Sequence, residues 1–591
     1  MPAIEYRIYP KDLHRHYFEV ELLIKNPNPD GQRVQLPSWI PGSYLIRDFS
    51  KHIASIQAYT VNDRRQEVKL ALKKINNSTW ELPPKIGSVT MRMSVYAFDT
   101  SVRTAYLDQY RGFYNHSSLC LQVLGQSHQP CQIEIIQTSQ TSEWEVATTL
   151  KKRDVNRQGF GTYVAANYDE LIDQPVALGS FTRLTWKSHG IPHEMAIQGS
   201  ISELDIKQLT EDLQAICNTH IAFFDPRKKR APFEKYLFLV NTVGQGYGGL
   251  EHRSSTALLC NRGDLPLKNI YGKTNESAYQ NFLGLCSHEY FHAWMVKKIQ
   301  PKAFQPYGLD RKNFTNLLWL FEGFTSYYDD LQLFRSHRIT QEQYLKRILD
   351  TWNSVLRTPG RFKQSVADSS FDAWTKYYQI DENTPNAVVS YYAKGALIAL
   401  GLDLIIRDWT GNKKSLDDVI RNLWKKHGAL GNQPGIGISE HGFDDIIIET
   451  LGIDFSPIWK QFSKQYINGT KDLPLENLFL KAGFKFHHKK TSSLDEIKSI
   501  LGIRTVAADG WVKITHVLEG GAAQISGIAP GDILASLNHE RITPSRLDEI
   551  LGQIHKRSKV TIFRHDLELN LSLKLIGHAT PQFELIKEQD A

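Results

Sequence analysis

Cysteine is scarce in this chain. Cys120, Cys131, Cys217, Cys260 and Cys286 are odd in number, widely separated and never arranged as Cys-x-x-Cys. That argues against both a disulfide framework and a thiolate zinc site, and leaves buried free thiols as the expectation. Long apolar runs are lacking too: the longest, Asn386 to Ile406, is broken by Lys394 and Asp403 and reads as a buried amphipathic helix, so no membrane span is expected. There is no run of one charge sign. With 70 basic and 63 acidic residues the net charge is only +7, which disfavours nucleic acid as a partner. The stretch Met1 to Arg7 has neither the basic segment nor the apolar core of an export signal, so cytoplasmic residence is expected, or periplasmic if a leader has been removed. Internal repeats and low-complexity tracts are also missing.

What is present is an ordinary globular composition spread over 591 residues, too many for one hydrophobic core. Phe18, Val20, Leu22 and Ile24 alternate with other residues, as do Val89, Met91, Met93 and Val95, and turn signals such as Asn26 to Gly31 separate such runs. This pattern predicts an antiparallel β-sandwich over residues 1–170. From about Glu203 the period becomes helical at Leu204, Ile206, Leu209, Leu213 and Ile216. The strand Tyr236 to Val240, a glycine-rich turn at Gly244 to Gly249 and a mainly helical region then follow, so 171–485 is expected to be one mixed α/β and helical domain. The polar stretch His487 to Ser493 reads as a linker, and 495–576 as a compact β-rich module. The fold class is multidomain α+β.

His288-Glu-Tyr-Phe-His292 has the HExxH spacing. On a helix it places two imidazoles one turn apart on the same face, where both can hold one zinc ion. Glu289 then lies beside a water whose pKa the metal lowers to about 7, and can accept its proton. Ser277-Ala-Tyr-Gln280 supplies a capping-box signature just before Phe282, Leu285, Phe291 and Met295, so an amphipathic helix is predicted there independently. A catalytic site needs a third protein ligand. The best candidate is Glu322 in Trp319-Leu-Phe-Glu-Gly-Phe324, because a glutamate flanked by Leu320, Phe321 and Phe324 is costly to bury unless a cation offsets its charge.

HExxH followed by Trp-Leu-x-Glu-Gly-Phe is similar to the gluzincin metallopeptidases. The 29 residues between His292 and Glu322, together with Pro37 to Asp48, Gly248-Gly-Leu-Glu-His252 and Ser390-Tyr-Tyr-Ala-Lys-Gly395, resemble the PDZ-containing glycyl aminopeptidase family. The resemblance implies a thermolysin-like catalytic domain over 171–485 and one Zn²⁺ held by His288, His292 and Glu322. It further implies that Gly248 and Gly249 lie on an edge strand aligning the substrate main chain, and that Glu251 binds its free ammonium. His252 departs from the asparagine usual in the broader aminopeptidases. Tyr392 matches the tyrosine that steadies the oxyanion; Tyr391 beside it would point about 100° away on a helix. Thr325, Ser326 and Asp329 are equal candidates for supporting the histidines.

Leu501-Gly-Ile503, Gly510-Trp-Val-Lys-Ile-Thr515, Gly520-Gly-Ala-Ala523 and Ala529-Pro-Gly-Asp-Ile-Leu534 resemble a PDZ domain, which implies capture of a peptide C-terminus by strand addition or a packing role. The expected function is a zinc aminopeptidase acting on peptides with a free N-terminus, with the family implying small first residues such as glycine or alanine. The alternatives are a PDZ-recruited zinc endopeptidase and a non-catalytic PDZ binding protein.

Overall fold

The computed structural model describes the chain apart from residues 1–2, 200, 202, 269–274, 432–434, 489–491, 556, 578 and 587–591. The chain forms two compact units. One comprises Met1–Asn313, Leu331–Ile339 and Ile420–Ser439; the other comprises Phe314–Asp330, Thr340–Val419 and Glu440–Ala591.

In the first unit the alternating N-terminal segments form an eight-stranded sheet. Its strands are β1 (Ile4–Asp12), β2 (Tyr17–Ile24), β3 (Ile53–Val61), β4 (Glu67–Leu70), β5 (Val89–Tyr96), β6 (Cys131–Ile135), β7 (Lys151–Val155) and β8 (Gly161–Ala165), in the order β7-β8-β6-β1-β2-β5-β3-β4. Strand β2 buries Phe18, Val20, Leu22 and Ile24 on one face, as its period of two requires. The sheet is not wholly antiparallel as the sequence suggested. Strands β1 and β6 run parallel, with Ile4 opposite Cys131 and Ile8 opposite Ile135. Alternation sets which face is buried but not strand direction, and the long excursion between β2 and β6 provides the crossover that a parallel pair needs.

Beyond two small four-stranded sheets, the unit holds a five-stranded sheet: β9 (Thr182–Ser188), β10 (Ile191–Gln198), β11 (Tyr236–Val243), β12 (Gly248–Glu251) and β13 (Ser255–Asn261), ordered β9-β10-β11-β13-β12. Gly248 and Gly249 therefore belong to the edge strand of this sheet rather than to the expected turn. Helices α1 (Ile206–Phe224) and α2 (Glu276–Phe291) belong to the same unit.

The second unit is largely helical. Its helices include α3 (Gln341–Leu356) and α4 (Ala393–Thr410), and it ends in a β-rich module around a core of Val512, Ile514, Leu534, Ile550, Val560 and Ile562. The apolar stretch from Asn386 enters α4 only at Ala393, and no described helix is long and apolar enough to cross a membrane. The expected linker is partly structured: Lys485–His488 is a strand paired with Phe583–Ile586, Ser493 opens a helix, and 489–491 lie outside the described residues. The pairing partner lies almost a hundred residues away, which local polarity could not reveal. All five cysteines are buried free thiols.

Among the buried histidines of the first unit, His116 Nδ1 donates to the Gln174 carbonyl, His193 meets the Tyr290 hydroxyl and His220 the Ser287 hydroxyl. Burial pushes His116 and His193 down to about 4 and His220 down to about 3. These rings stay neutral when folded, whereas unfolding lets them take protons below about 6.5. Their contribution is therefore complete above that pH and is lost as the pH falls toward 4. The thermal midpoint, measured with a chelator present, is expected to drop between about pH 7.5 and about pH 5, and His220→Asn to shrink the drop; a midpoint indifferent to pH would contradict this account.

Candidate metal centre and substrate edge

Helix α2 begins at Asn275, whose side chain accepts the Ala278 amide, and not at the Ser277 capping box that the sequence suggested. Its rotation is fixed on one side by two buried bonds, His220 to Ser287 at 2.9 Å and His193 to Tyr290 at 2.8 Å. Sequence reading missed these contacts, although Ser287 immediately precedes the motif and Tyr290 lies within it. His292 stands at the end of α2, its amide still bonded to the His288 carbonyl.

The Nε2 atoms of His288 and His292 face each other at 3.1 Å, with the ring planes nearly perpendicular. Two imidazoles bound to one zinc at about 2.0–2.1 Å in tetrahedral geometry have nitrogens roughly 3.3 Å apart, so the spacing suits a shared cation. His292 Nδ1 lies 3.3 Å from the Met295 carbonyl, which holds the ring so that Nε2 points at the gap. Thr325, one of the candidate supports, instead donates to the Phe321 carbonyl of its own helix at 2.5 Å.

Edge strand β12 brings Glu251 to the same place. One ligand atom each from Glu251, Glu289 and His292 lie within 4.8 Å of one another, and all three residues are buried. Among the described residues Glu251 Oε1 has no hydrogen-bond partner. Backbone approaches this pair of carboxylates where side chains could not. A Cβ on Gly249 would collide with the Glu289 carboxylate, and one on Gly42, whose φ is +100°, would stand 2.6 Å from Glu251 Oε1. The segment around Gly42 carried only a resemblance in the sequence; its contact with Glu251 emerges from the fold.

Beyond Glu251, Asp173 collects charge. Its carboxylate faces Lys297 Nζ at 3.2 Å and His252 Nδ1 at 3.7 Å, and accepts the Arg253 amide at 2.9 Å. Burial works to raise the Asp173 carboxyl, but Lys297, Arg253 and His252 together outweigh it and hold it well below the usual range. His252, in place of asparagine, thus borders an acid that was not legible in sequence.

Glu322 sits in a five-residue π-helical turn, Trp319–Gly323, and is 2% exposed. The turn touches α4 through two glycines: a Cβ on Gly323 would lie 2.5 Å from the Gly395 Cα, and one on Gly395 2.8 Å from the Gly323 Cα. A buried carboxylate is a donor of the kind zinc takes alongside imidazole. Tyr392 immediately precedes α4, and its hydroxyl is 3.1 Å from that of Tyr378. The rings of Tyr391 and Tyr392 are stacked with centroids 4.7 Å apart, rather than splayed as two helical neighbours would be. Tyr377 also borders this cluster: burial raises its hydroxyl, the Ser390 bond opposes that, and the Glu322 charge adds to it.

The family model of the Peptidase M61 N-terminal domain matches residues 5–180, and that of the M61 glycyl aminopeptidase matches residues 281–398. Among solved structures, an aminopeptidase N family protein from Idiomarina loihiensis is 38% identical over 99% of this chain and 98% of its own, with a TM-score of 0.91. An M1 zinc metallopeptidase from Deinococcus radiodurans is 12% identical over 80% of this chain and 95% of its own, with a TM-score of 0.47. Native yeast LTA4 hydrolase is 13% identical over 80% and 68%, with a TM-score of 0.48. No curated protein matches.

The glycine contacts make the site sensitive to a single methyl group. Gly249→Ala is expected to displace Glu289 and lower kcat on the order of a hundredfold with bound zinc retained. Gly323→Ala should instead shift Glu322 and weaken zinc retention on dialysis against a chelator. Equal zinc loss in both variants would refute this division of roles.

Proposed function

The chain belongs to the M61 glycyl aminopeptidase family and is a zinc-dependent aminopeptidase, and from that premise we propose that His288, His292 and Glu322 hold the ion while Glu289, Glu251 and Tyr392 carry the reaction. Zinc, when bound, supplies a Lewis acid for the scissile carbonyl and lowers the pKa of water toward 7. Glu289 accepts a proton from the attacking water and returns one to the leaving amine. Tyr392 donates a hydrogen bond to the developing oxyanion without adding a competing charge. The open edge at Gly248 and Gly249 aligns the peptide main chain, and Glu251 binds its ammonium group.

The observation that carries this reading is the crowding of Glu251 against Glu289, with one Glu251 oxygen lacking a hydrogen-bond partner among the described residues. A carboxylate so placed favours a substrate that delivers a positive charge. The preference for a first residue of glycine or alanine is supported by the backbone of Gly42, which lies so close to Glu251 that little room remains beside the amine.

The same reading divides the chain into a β domain at 1–170, a catalytic domain at 171–485 and a PDZ domain at 495–576. In the last, the Leu501-Gly502-Ile503 turn would receive a peptide C-terminus, yet its backbone is closely covered. The Gly502 amide donates to the Lys498 carbonyl, Leu518 donates to the Gly502 carbonyl, and a Cβ on Gly521 would lie 2.7 Å from the Leu501 carbonyl oxygen. That favours a packing role for this turn.

Aminoacyl amides with free and acetylated amines, assayed with and without chelator, test the assignment. Hydrolysis should be confined to free amines, fastest for glycine and alanine, and abolished by the chelator. Glu289→Gln should lose at least a hundredfold in kcat, and Glu251→Ala should lose selectivity for the free amine. Equal cleavage of acetylated substrates would overturn the exopeptidase reading.

A further inference from the structure

The loop residue Arg103 reaches the substrate edge from the N-terminal β region of the same unit. Its Nη2 donates to the Gly249 carbonyl at 3.1 Å, and its Nη1 lies 3.7 Å from where a Cβ on Gly248 would stand. The side chain is half-buried, and among the described residues its buried Nε has no hydrogen-bond partner and the guanidinium forms no ion pair. A guanidinium carries five N–H donors in a planar fork suited to a carboxylate, and withdrawing it partly from water without an acidic partner is costly. No carboxylate among the described residues offsets this cost.

Strand geometry indicates where such a carboxylate comes from. Glu251 and Gly249 are two residues apart on β12, about 6.8 Å at strand rise. A peptide lying antiparallel along the open edge, with its ammonium at Glu251, reaches Gly249 after roughly two residues of its own. Glu289 abuts Gly249, so the bond between those two residues passes the proton-transferring group. We propose that Arg103 binds the terminal carboxylate of a two-residue substrate, making dipeptides the preferred substrate class of this site. The inference rests on the aminopeptidase reading above. Longer peptides and amides place a neutral carbonyl or amide where the dipeptide has its charge, and a charge-assisted bond to Arg103 is about twice as strong as a neutral one.

The test compares glycyl-alanine, glycyl-alaninamide, glycyl-alanyl-alanine and N-acetyl-glycyl-alaninamide on the zinc-loaded full chain. The dipeptide should exceed the amide and the tripeptide roughly tenfold or more in kcat/KM, mainly through KM. In Arg103→Gln the ratio of dipeptide to amide should fall toward one whatever the absolute rates, and Arg103→Lys, which keeps the charge without the fork, should lie between. A wild-type ratio near one, or an undiminished ratio in Arg103→Gln, overturns the inference. Should Arg103→Gln not fold, the wild-type ratio and Arg103→Lys decide. Cleavage of the acetylated amide at the rate of the free one would instead defeat the aminopeptidase reading, whereas strict free-amine selectivity with equal dipeptide and amide rates defeats only the dipeptide preference.

Discussion

Glu251 and Glu289 are held with His292 in a space 4.8 Å across and nearly sealed from water. Two carboxylates that close repel each other strongly when solvent screening is removed. In the function proposed above, such an arrangement is sustained by cations brought to it, a metal on the imidazole side and an ammonium on the strand side. The fold keeps its own positive charges one layer back, where Lys297 Nζ faces Asp173 at 3.2 Å and the Arg253 guanidinium meets Asp169 at 2.5 Å. Those cations are neutralised there and do not compete for Glu251.

Such close placement of acids depends on glycine. Gly42, Gly249, Gly323 and Gly395 come from four separate segments, and each lies where an added methyl group would strike an acidic side chain or a facing backbone. Shape thus ties Gly42 to Glu251, Gly249 to Glu289 and Gly323 to Gly395. A backbone that packs this tightly can hold a carboxylate within a few tenths of an ångström, which longer side chains with freer rotamers could not do.

Part of the candidate site's geometry was legible because spacing on a helix is a strong constraint. The four-residue separation of His288 and His292 dictates a shared face, and an acid among Leu320, Phe321 and Phe324 dictates a buried charge. The edge position of Gly248 and Gly249 was available only through resemblance, since two glycines also suit a turn. The contacts of Gly42, Asp173, His193, His220 and Arg103 were not legible, because each joins residues far apart in sequence through tertiary packing. The parallel pairing of β1 with β6 and the pairing of Lys485–His488 with Phe583–Ile586 escaped for the same reason. The cap of α2 was misplaced by two residues because Asn275 and Ser277 are comparable caps, and only the backbone decides between them.

The pairing of Lys485–His488 with Phe583–Ile586 has a topological consequence for the β-rich module between them. The polypeptide enters and leaves that module side by side, and the returning segment is clasped by Asn353, which exchanges two hydrogen bonds with the Phe583 backbone while Trp352 stacks on its ring at 4.3 Å. The module is thus spliced into the chain like a cartridge whose two contacts share one socket. Evolution could exchange or discard it by joining adjacent ends, without rethreading the helices that carry Glu322 and Tyr392.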